Sequence, residues 1–419
     1  MGLLVSPEGL TVLGNSAGRA GHWLAYFVMW AGLIHILTAI AYGRIFAQYP
    51  GPFGEVRLIR KAFGAIPTVL VPACARVTVA VCTSTALLAT AGYVFNEVFL
   101  YWFPNLGFSF CLLGVLVLLN VLGMRVAAVG QLVFVGLALG GLLFLSVTGF
   151  FEWGNPVPLR QDGPTPLAHL PQIAVASLLV FVGFDLAGFV GEDRGNPAKA
   201  MMATILLAGL VFSCWGWVSA EYVPLGRLAD TSIPHVKAAR AVLGETGRIC
   251  IGIITLAGSC AAVNALLIAV SRMLAIMATE GVLPPFLAMG KNGAATGIFI
   301  LVAAVAAMMG SGMAGESILE VYIKAGICFW LFHYSVILGA VFTMTVRASP
   351  GSSTQSTKGH WIVPIAGSTA MMLALAGIFL LETEWRLLLR IVAILFAIGL
   401  IFAASWVPFS RKKGWLKQF

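Results

Sequence analysis

The sequence predicts an all-α integral membrane protein, and three observations predict it. Hydrophobic residues make up 60% of the 419 and charged residues only 10%, with a mean hydropathy of +0.97. A soluble domain carries about 25% charged residues, so this chain cannot coat itself for water. Long apolar segments recur along it, each suited to a helix of roughly 20 residues across a bilayer. No apolar alternation of period two persists, so a transmembrane barrel is not predicted. The apolar runs never pause long enough for a soluble domain, and residues 1–419 read as a single transmembrane domain.

Eleven long segments are expected near 22–47, 66–94, 106–122, 126–151, 172–190, 200–222, 249–278, 295–313, 318–346, 361–381 and 387–407. A short one, from Gly2 to about Ala20, is broken by Ser6, Pro7, Glu8 and Gly14. Turn-rich stretches such as "QYPGPFGE" and "RASPGSSTQSTKGH" separate them. Lys and Arg placement orients the chain. With the loop after 22–47 on the cytoplasmic side, fifteen basic residues lie on that side and eight outside, with Arg76 and Lys324 inside segments. The opposite topology would invert the excess, so a cell-membrane protein with a cytoplasmic C-terminus is expected.

The net charge of +9 then reads as topology plus attraction to anionic lipid, chiefly through "SRKKGWLKQF". The basic residues form no aromatic-interleaved stripe, which argues against nucleic acid. All seven cysteines lie in apolar segments with no C-x-x-C, so neither a disulfide framework nor a metal site is predicted. His35 and His333 lie within spans without H-x-x-x-H or H-E-x-x-H. With the scattered serines they form no recognisable nucleophile–base set, so no enzyme and no cofactor is expected. The opening "MGLLVS" fits an N-myristoylation pattern, but it begins an apolar run and reads as chance.

One stretch breaks two local rules at once. "LLVFVGFDLAGFVGEDRGNP" (178–197) places Asp185 in an apolar run and loosens that run with Gly183, Gly188 and Gly191. A buried charge costs free energy unless compensated, and glycine weakens a straight helix, so such a place is a functional candidate.

That stretch is one of four that resemble the amino acid/polyamine/organocation (APC) transporters. "FVGFDLAGFVGEDRGNPAKAMMATIL" (181–206) resembles their helix 6, in which F-x-G-F-D/E precedes an acidic pair and N-P. "GEVRLIRKAFG" (54–64) resembles the loop after their helix 2, and "NALLIAVSRMLAIMATEGVLPPFLA" (264–288) their helix 8. "GLLVSPEGL" (2–10) resembles the outer half of their helix 1. The four occur in order across nearly the whole chain, and twelve family helices match the segment count.

The resemblance implies a LeuT-type fold of 5+5 inverted repeats plus two C-terminal helices. The first repeat would be 1–151 with helix 1 truncated, the second 171–346, and helices 11 and 12 would occupy 361–407. It implies secondary transport of an amino acid or related amine by alternating access, with substrate at interruptions in helices 1 and 6. A transport-inactive amino acid sensor or receptor of the same fold is the alternative. By the resemblance, Gly2, Leu3 and Ser6 are the surviving part of the helix 1 site. Phe181, Val182, Gly183 and Phe184 supply backbone groups and an aromatic wall from helix 6. Relatives carry a further tail and inner half-helix before Gly2, so the reading frame is expected to start upstream. The family's tryptophan gate position holds Leu179 here, which points to a smaller or more apolar substrate.

Coupling stays open between protons, sodium and exchange. Helix 5 (126–151) lacks the lysine of some proton-coupled relatives, and Ser259 is available as a sodium-type hydroxyl. Asp185 matches an acidic position assigned to proton sensing in relatives. Arg76, in "VLVPACARVTVAV" on helix 3, is its candidate partner, either as a switchable pair or as a permanent strut. Glu320 and Lys324 lie four apart and can pair on one helix face. Glu192 and Asp193, beside Arg194 and Lys199, suggest an inner salt-bridge network, and Asn264 a helix–helix hydrogen bond.

Overall fold

In a bilayer every backbone polar group has to be satisfied within its own segment, and the apolar runs accordingly fold as helices. The computed structural model describes residues 6–49, 54–153, 169–186, 197–288, 293–311, 316–347 and 361–415. Helix α1 (Pro7–Ala20) passes through a single 3-10 turn into α2 (Leu24–Gln48). The loop resembling the family's first cytoplasmic segment is itself a short amphipathic helix, α3 (Gly54–Phe63). Then come α4 (Ala65–Val98), α5 (Asn105–Val121) and α6 (Met124–Phe150). The second half runs α7 (Leu170–Leu179), α8 (Pro197–Tyr222), the short α9 (Leu225–Ala229), α10 (Pro234–Thr279), α11 (Gly293–Gly310) and α12 (Glu316–Arg347). Helices α13 (Ile362–Leu381) and α14 (Trp385–Lys412) follow.

Among the described residues, eight helical stretches are long and apolar enough to cross a membrane, with α1 and α2 counting as one. Shorter apolar helices lie at Asn105–Val121, Leu170–Leu186 and Ala294–Gly310. Two departures from the expected segments carry information. The segment expected over 172–190 stops being α-helical at Leu179. The segment expected over 249–278 begins already at Pro234, but Leu243 and Gly244 leave helical geometry, with Gly244 at φ +59°. The stretch before that kink is an arm folded over α1. A Cβ on Gly14 would stand 2.6 Å from the Pro234 ring, and one on Gly18 would overlap the backbone of Ala229. The glycines of the broken first segment are what allow α1 to sit this close.

Helix α10 is the central pillar, largely buried beyond its kink and packed most extensively on α6 and α4. Helix α8 lies on α2, and α12 lies between α13 and α4. Helices α13 and α14 carry many of the exposed apolar side chains, as lipid-facing helices do. Polar ties replace the hydrophobic drive that lipid cannot supply between helices. Asn264 of α10 donates to Gln131 Oε1 at 2.8 Å and to the Ala127 carbonyl at 3.1 Å, and it accepts from Asn120 at 2.7 Å. Lys324 pairs with Glu320 at 2.6 Å, as the spacing predicts, and also with Glu382 beyond α13. All seven cysteines are free.

Asn264 thus joins α5, α6 and α10 as the predicted helix–helix hydrogen bonder. Asn264→Leu is expected to cost about 1–2 kcal/mol, because Asn120 and Gln131 lose their shared partner inside the bundle. A lowered thermal midpoint in detergent would report it, and an unchanged midpoint would show that the triad adds nothing to stability.

A buried ion-pair network at the end of helix α7

Helix α7 ends at Leu179 and the chain continues through i→i+3 turns, with Phe181 N bonded to Leu178 O at 3.3 Å and Val182 N to Leu179 O at 3.2 Å. Gly183 follows at φ +104°, a backbone region that a side chain strongly disfavours. Phe184–Leu186 then form one 3-10 turn. Phe181, Val182, Phe184 and Asp185 are all buried. Helical hydrogen bonding has lapsed here, and a side chain takes its place. The Gly183 N–H donates to the Tyr334 hydroxyl at 3.1 Å.

Tyr334 links this turn to Asp185. Its hydroxyl donates to Asp185 Oδ1 at 2.5 Å, and Trp330 Nε1 donates to the same oxygen at 3.0 Å. Asp185 Oδ2 receives Arg76 Nη2 in a direct ion pair. Arg76 and Asp185 are both buried, at 1% and 0% exposure, so each charge depends on the other for compensation. The guanidinium also lies 5.5 Å from the Trp330 ring centre, within cation–π range.

The network extends beyond the predicted pair. Arg76 Nη2 is 2.9 Å from His333 Nε2 and 3.8 Å from Glu55 Oε2. His333 Nε2 is in turn 3.3 Å from that Glu55 oxygen, which accepts from the Tyr42 hydroxyl at 3.1 Å. Glu55, His333 and Tyr42 are buried as well. Trp330, His333 and Tyr334 stand at i, i+3 and i+4 on α12 and therefore share one face.

Local sequence explains how each group is delivered. Pro72 cannot donate the helical hydrogen bond of a regular turn, and Val69–Ala75 is wound as a π-helix immediately before Arg76. Glu55 follows Gly54, where a Cβ would stand 2.6 Å from the Tyr49 carbonyl. Helix α3 turns Glu55, Val56, Leu58, Ile59 and Ala62 inward and leaves Arg57 outside, bonded to Glu280 at 2.8 Å.

Arg76 and Asp185, named together from the sequence, do meet. Ser6 is the N-cap of α1, accepting from Gly9 N at 3.1 Å. Gly2 and Leu3 lie outside the described residues, as do Gly188, Gly191, Glu192, Asp193 and Arg194. The Phe181 ring seats between α2 and α8. It packs where a Cβ on Gly32 of α2 or Gly209 of α8 would stand 3.5 Å away, with its centroid 5.4 Å from that of His35. The Phe184 ring lies 5.4 Å from Tyr334 and 5.6 Å from His35. Ser259 is buried within α10. Sequence reasoning missed Glu55, His333, Tyr334, Trp330 and Tyr42. The i, i+3, i+4 spacing of polar-tipped residues in "WLFHY" is the signal that could have found three of them.

Tyr334 serves both the turn and the carboxylate, so Tyr334→Phe orphans a buried amide and removes a donor from Asp185. The expected cost is about 1–3 kcal/mol, the penalty of an unmade buried hydrogen bond. Thermal unfolding of the solubilised protein checks this, and a wild-type midpoint would mean that neither bond persists in solution.

The chain matches the amino acid permease family over residues 2–414. It is 24% identical, over 301 residues, to the inner membrane transport protein YbaT of Escherichia coli (strain K12), a match covering 68% of each chain. A crystal structure of the Eremococcus coleocola manganese transporter, in complex with an aromatic bis-isothiourea substituted compound, is similar with a TM-score of 0.58. That match spans 98% of this chain and 94% of the other at 14% identity, a likeness of fold alone. The architecture is therefore the LeuT-type fold that the four sequence stretches imply. With its many apolar helices, the chain belongs to the amino acid permease family of the APC superfamily and is a multi-pass membrane transporter of a small molecule.

Proposed function

We propose that this protein is a secondary active transporter of an amino acid or a related amine, working by alternating access. The observation that supports it most directly is the turn after α7. In a chain of the amino acid permease family, non-helical backbone is buried at the centre of the fold beside a paired carboxylate and guanidinium. Irregular backbone at membrane depth is tolerated where protein encloses it or a cavity borders it, and it offers polar groups that a continuous helix has already used.

In this reading Phe181–Phe184 contribute the helix 6 part of the substrate site, and residues 2–6 the helix 1 part. The halves 1–151 and 171–346 act as the two repeats. The basic-residue excess orients the chain in the cell membrane with its C-terminus in the cytoplasm. Arg76 holds Asp185 in the conformation seen here, and substrate or ion re-pairs the carboxylate in another. The bond from Gly183 N to Tyr334 then belongs to a closed arrangement that substrate must open, because the hydroxyl occupies an amide that a carboxylate could use.

Uptake of radiolabelled amino acids and small amines into proteoliposomes, set beside equilibrium binding, tests the reading. Binding without uptake would overturn it in favour of a sensor. Gly183→Val is expected to reach the membrane but to lose substrate binding by at least about tenfold, since a β-branched side chain resists φ above zero. Wild-type affinity would show that Gly183 only packs. Asp185→Asn is expected to bind substrate while cycling at least about tenfold more slowly, a change of roughly 1.4 kcal/mol in barrier. A variant with wild-type transport and pH profile would make the Arg76–Asp185 pair a strut.

A further inference from the structure

Two groups in the buried network have no task in that cycle, Glu55 and His333. Their geometry is specific. A guanidinium can only donate a hydrogen bond, and an ionised carboxylate can only accept one. Yet Arg76 Nη2 at 2.9 Å and Glu55 Oε2 at 3.3 Å both address the same atom, His333 Nε2. That nitrogen cannot accept from Arg76 and donate to Glu55 at once. The two contacts therefore belong to two arrangements of the ring protons. With His333 neutral and its proton on Nδ1, Nε2 accepts from Arg76. With a proton on Nε2 as well, the ring is an imidazolium that donates to Glu55 and repels the guanidinium.

The distribution of hydrogen bonds places the proton here and not on Asp185. Asp185 receives donors from Arg76, Trp330 and Tyr334 on its two oxygens. Glu55 has the Tyr42 hydroxyl on one oxygen, and its other oxygen, like His333 Nδ1, is buried without a hydrogen-bond partner among the described residues. An ionised carboxylate so thinly solvated inside protein is costly, and an added proton on the pair offsets that cost. The groups around His333 come from each neighbouring element: Arg76 from α4, Glu55 from α3, Tyr42 and the more distant His35 from α2, Asp185 from the turn after α7, and Tyr334 from α12 itself. Helix α13 contains no ionisable residue, and α14 has only Arg386 and Arg390 near its start and Arg411 and Lys412 at its end.

We propose that His333 and Glu55 form a proton-binding site, and that its occupancy decides whether α12 is hydrogen-bonded to Arg76 of α4 or to Glu55 of α3. The site rests on the transport reading for its purpose, which is to let a proton set the availability of Arg76 to Asp185. With the proton absent, Arg76 is divided between His333 and Asp185. With the proton bound, His333 takes Glu55, and the guanidinium turns wholly to Asp185.

Nitrogen-15 NMR of histidine-labelled full-length protein in nanodiscs tests the site without any substrate. The His333 signal is assigned by its loss in His333→Gln, checked for wild-type elution from a sizing column. As the pH is raised, His333 is expected to pass from the imidazolium to the neutral form with the proton on Nδ1, in one step. In Glu55→Gln the imidazolium form is expected to be lost. A single unchanging form of His333 in the wild-type protein overturns the proposal. Proteoliposomes enclosing a pH-sensitive dye, challenged with a mixture of the proteinogenic amino acids, separate the site from the transport reading. Proton entry that follows amino acid uptake, and falls at least about tenfold in Glu55→Gln, is expected. Uptake without proton entry overturns the coupling role and leaves the transporter standing. Titration of His333 in a protein that takes up none of the probes upholds the proton site and removes transport of those substrates.

Discussion

The buried pairing of Arg76 with Asp185 is the constraint around which this fold is arranged. Each charge, alone at that depth, would carry a desolvation penalty of several kcal/mol. The compensation has to be geometric. Two donors from one face of α12 converge on Asp185, while the π-helical winding around Pro72 delivers Arg76 from α4. The turn at Gly183 brings Asp185 into reach, and Tyr334 closes the remaining backbone amide. Remove any one of these features and a buried polar group is left unmatched.

This arrangement makes α12 the arbiter of the centre. Trp330 and Tyr334 reach the turn after α7, and His333, one step round the same face, reaches α4 and α3. A movement of α12 would therefore change the environment of Asp185 and that of Glu55 together. The N-terminal part of the helix is restrained separately, by Lys324 held between Glu320 and Glu382. One end is stapled by a partly exposed salt bridge, and the middle is tied by hydrogen bonds that a proton can redirect. A segment built that way can tilt about its fixed end more readily than it can slide.

What was legible in the sequence follows from what costs energy locally. An arginine and an aspartate inside apolar runs are conspicuous because nothing near them in the chain compensates the charge, so their pairing could be anticipated. Glycine at 183 was legible for the same reason, as a helix-weakening residue in an otherwise helical run. Glu55 was not, because it lies in a short stretch rich in basic residues, where a carboxylate looks solvated. Only the amphipathic winding of α3 shows it turned inward. His333 looked isolated because its partners stand 257 and 278 residues away. Phe181 was legible as part of the turn, but the seat its ring enters was not, since it is made by glycines on α2 and α8 far away in the chain. The arm from Pro234 to the kink was invisible as a continuation of α10, because Lys237 and Arg240 gave it the look of a loop.

The same physics explains why the network needs more than two charges. A single buried pair has one low-energy arrangement, and separating it costs most of what it gained. Glu55 gives the guanidinium a second carboxylate 3.8 Å away, and His333 stands between the two as an acceptor that can become a donor. Arg76 can then move from one arrangement to another while keeping a hydrogen-bond partner throughout. For a transporter this matters more than stability. In the proposed cycle a gate has to hold firmly in each state and still cross between them at a modest barrier, and a cation with two acceptors in reach would meet both demands within one buried site.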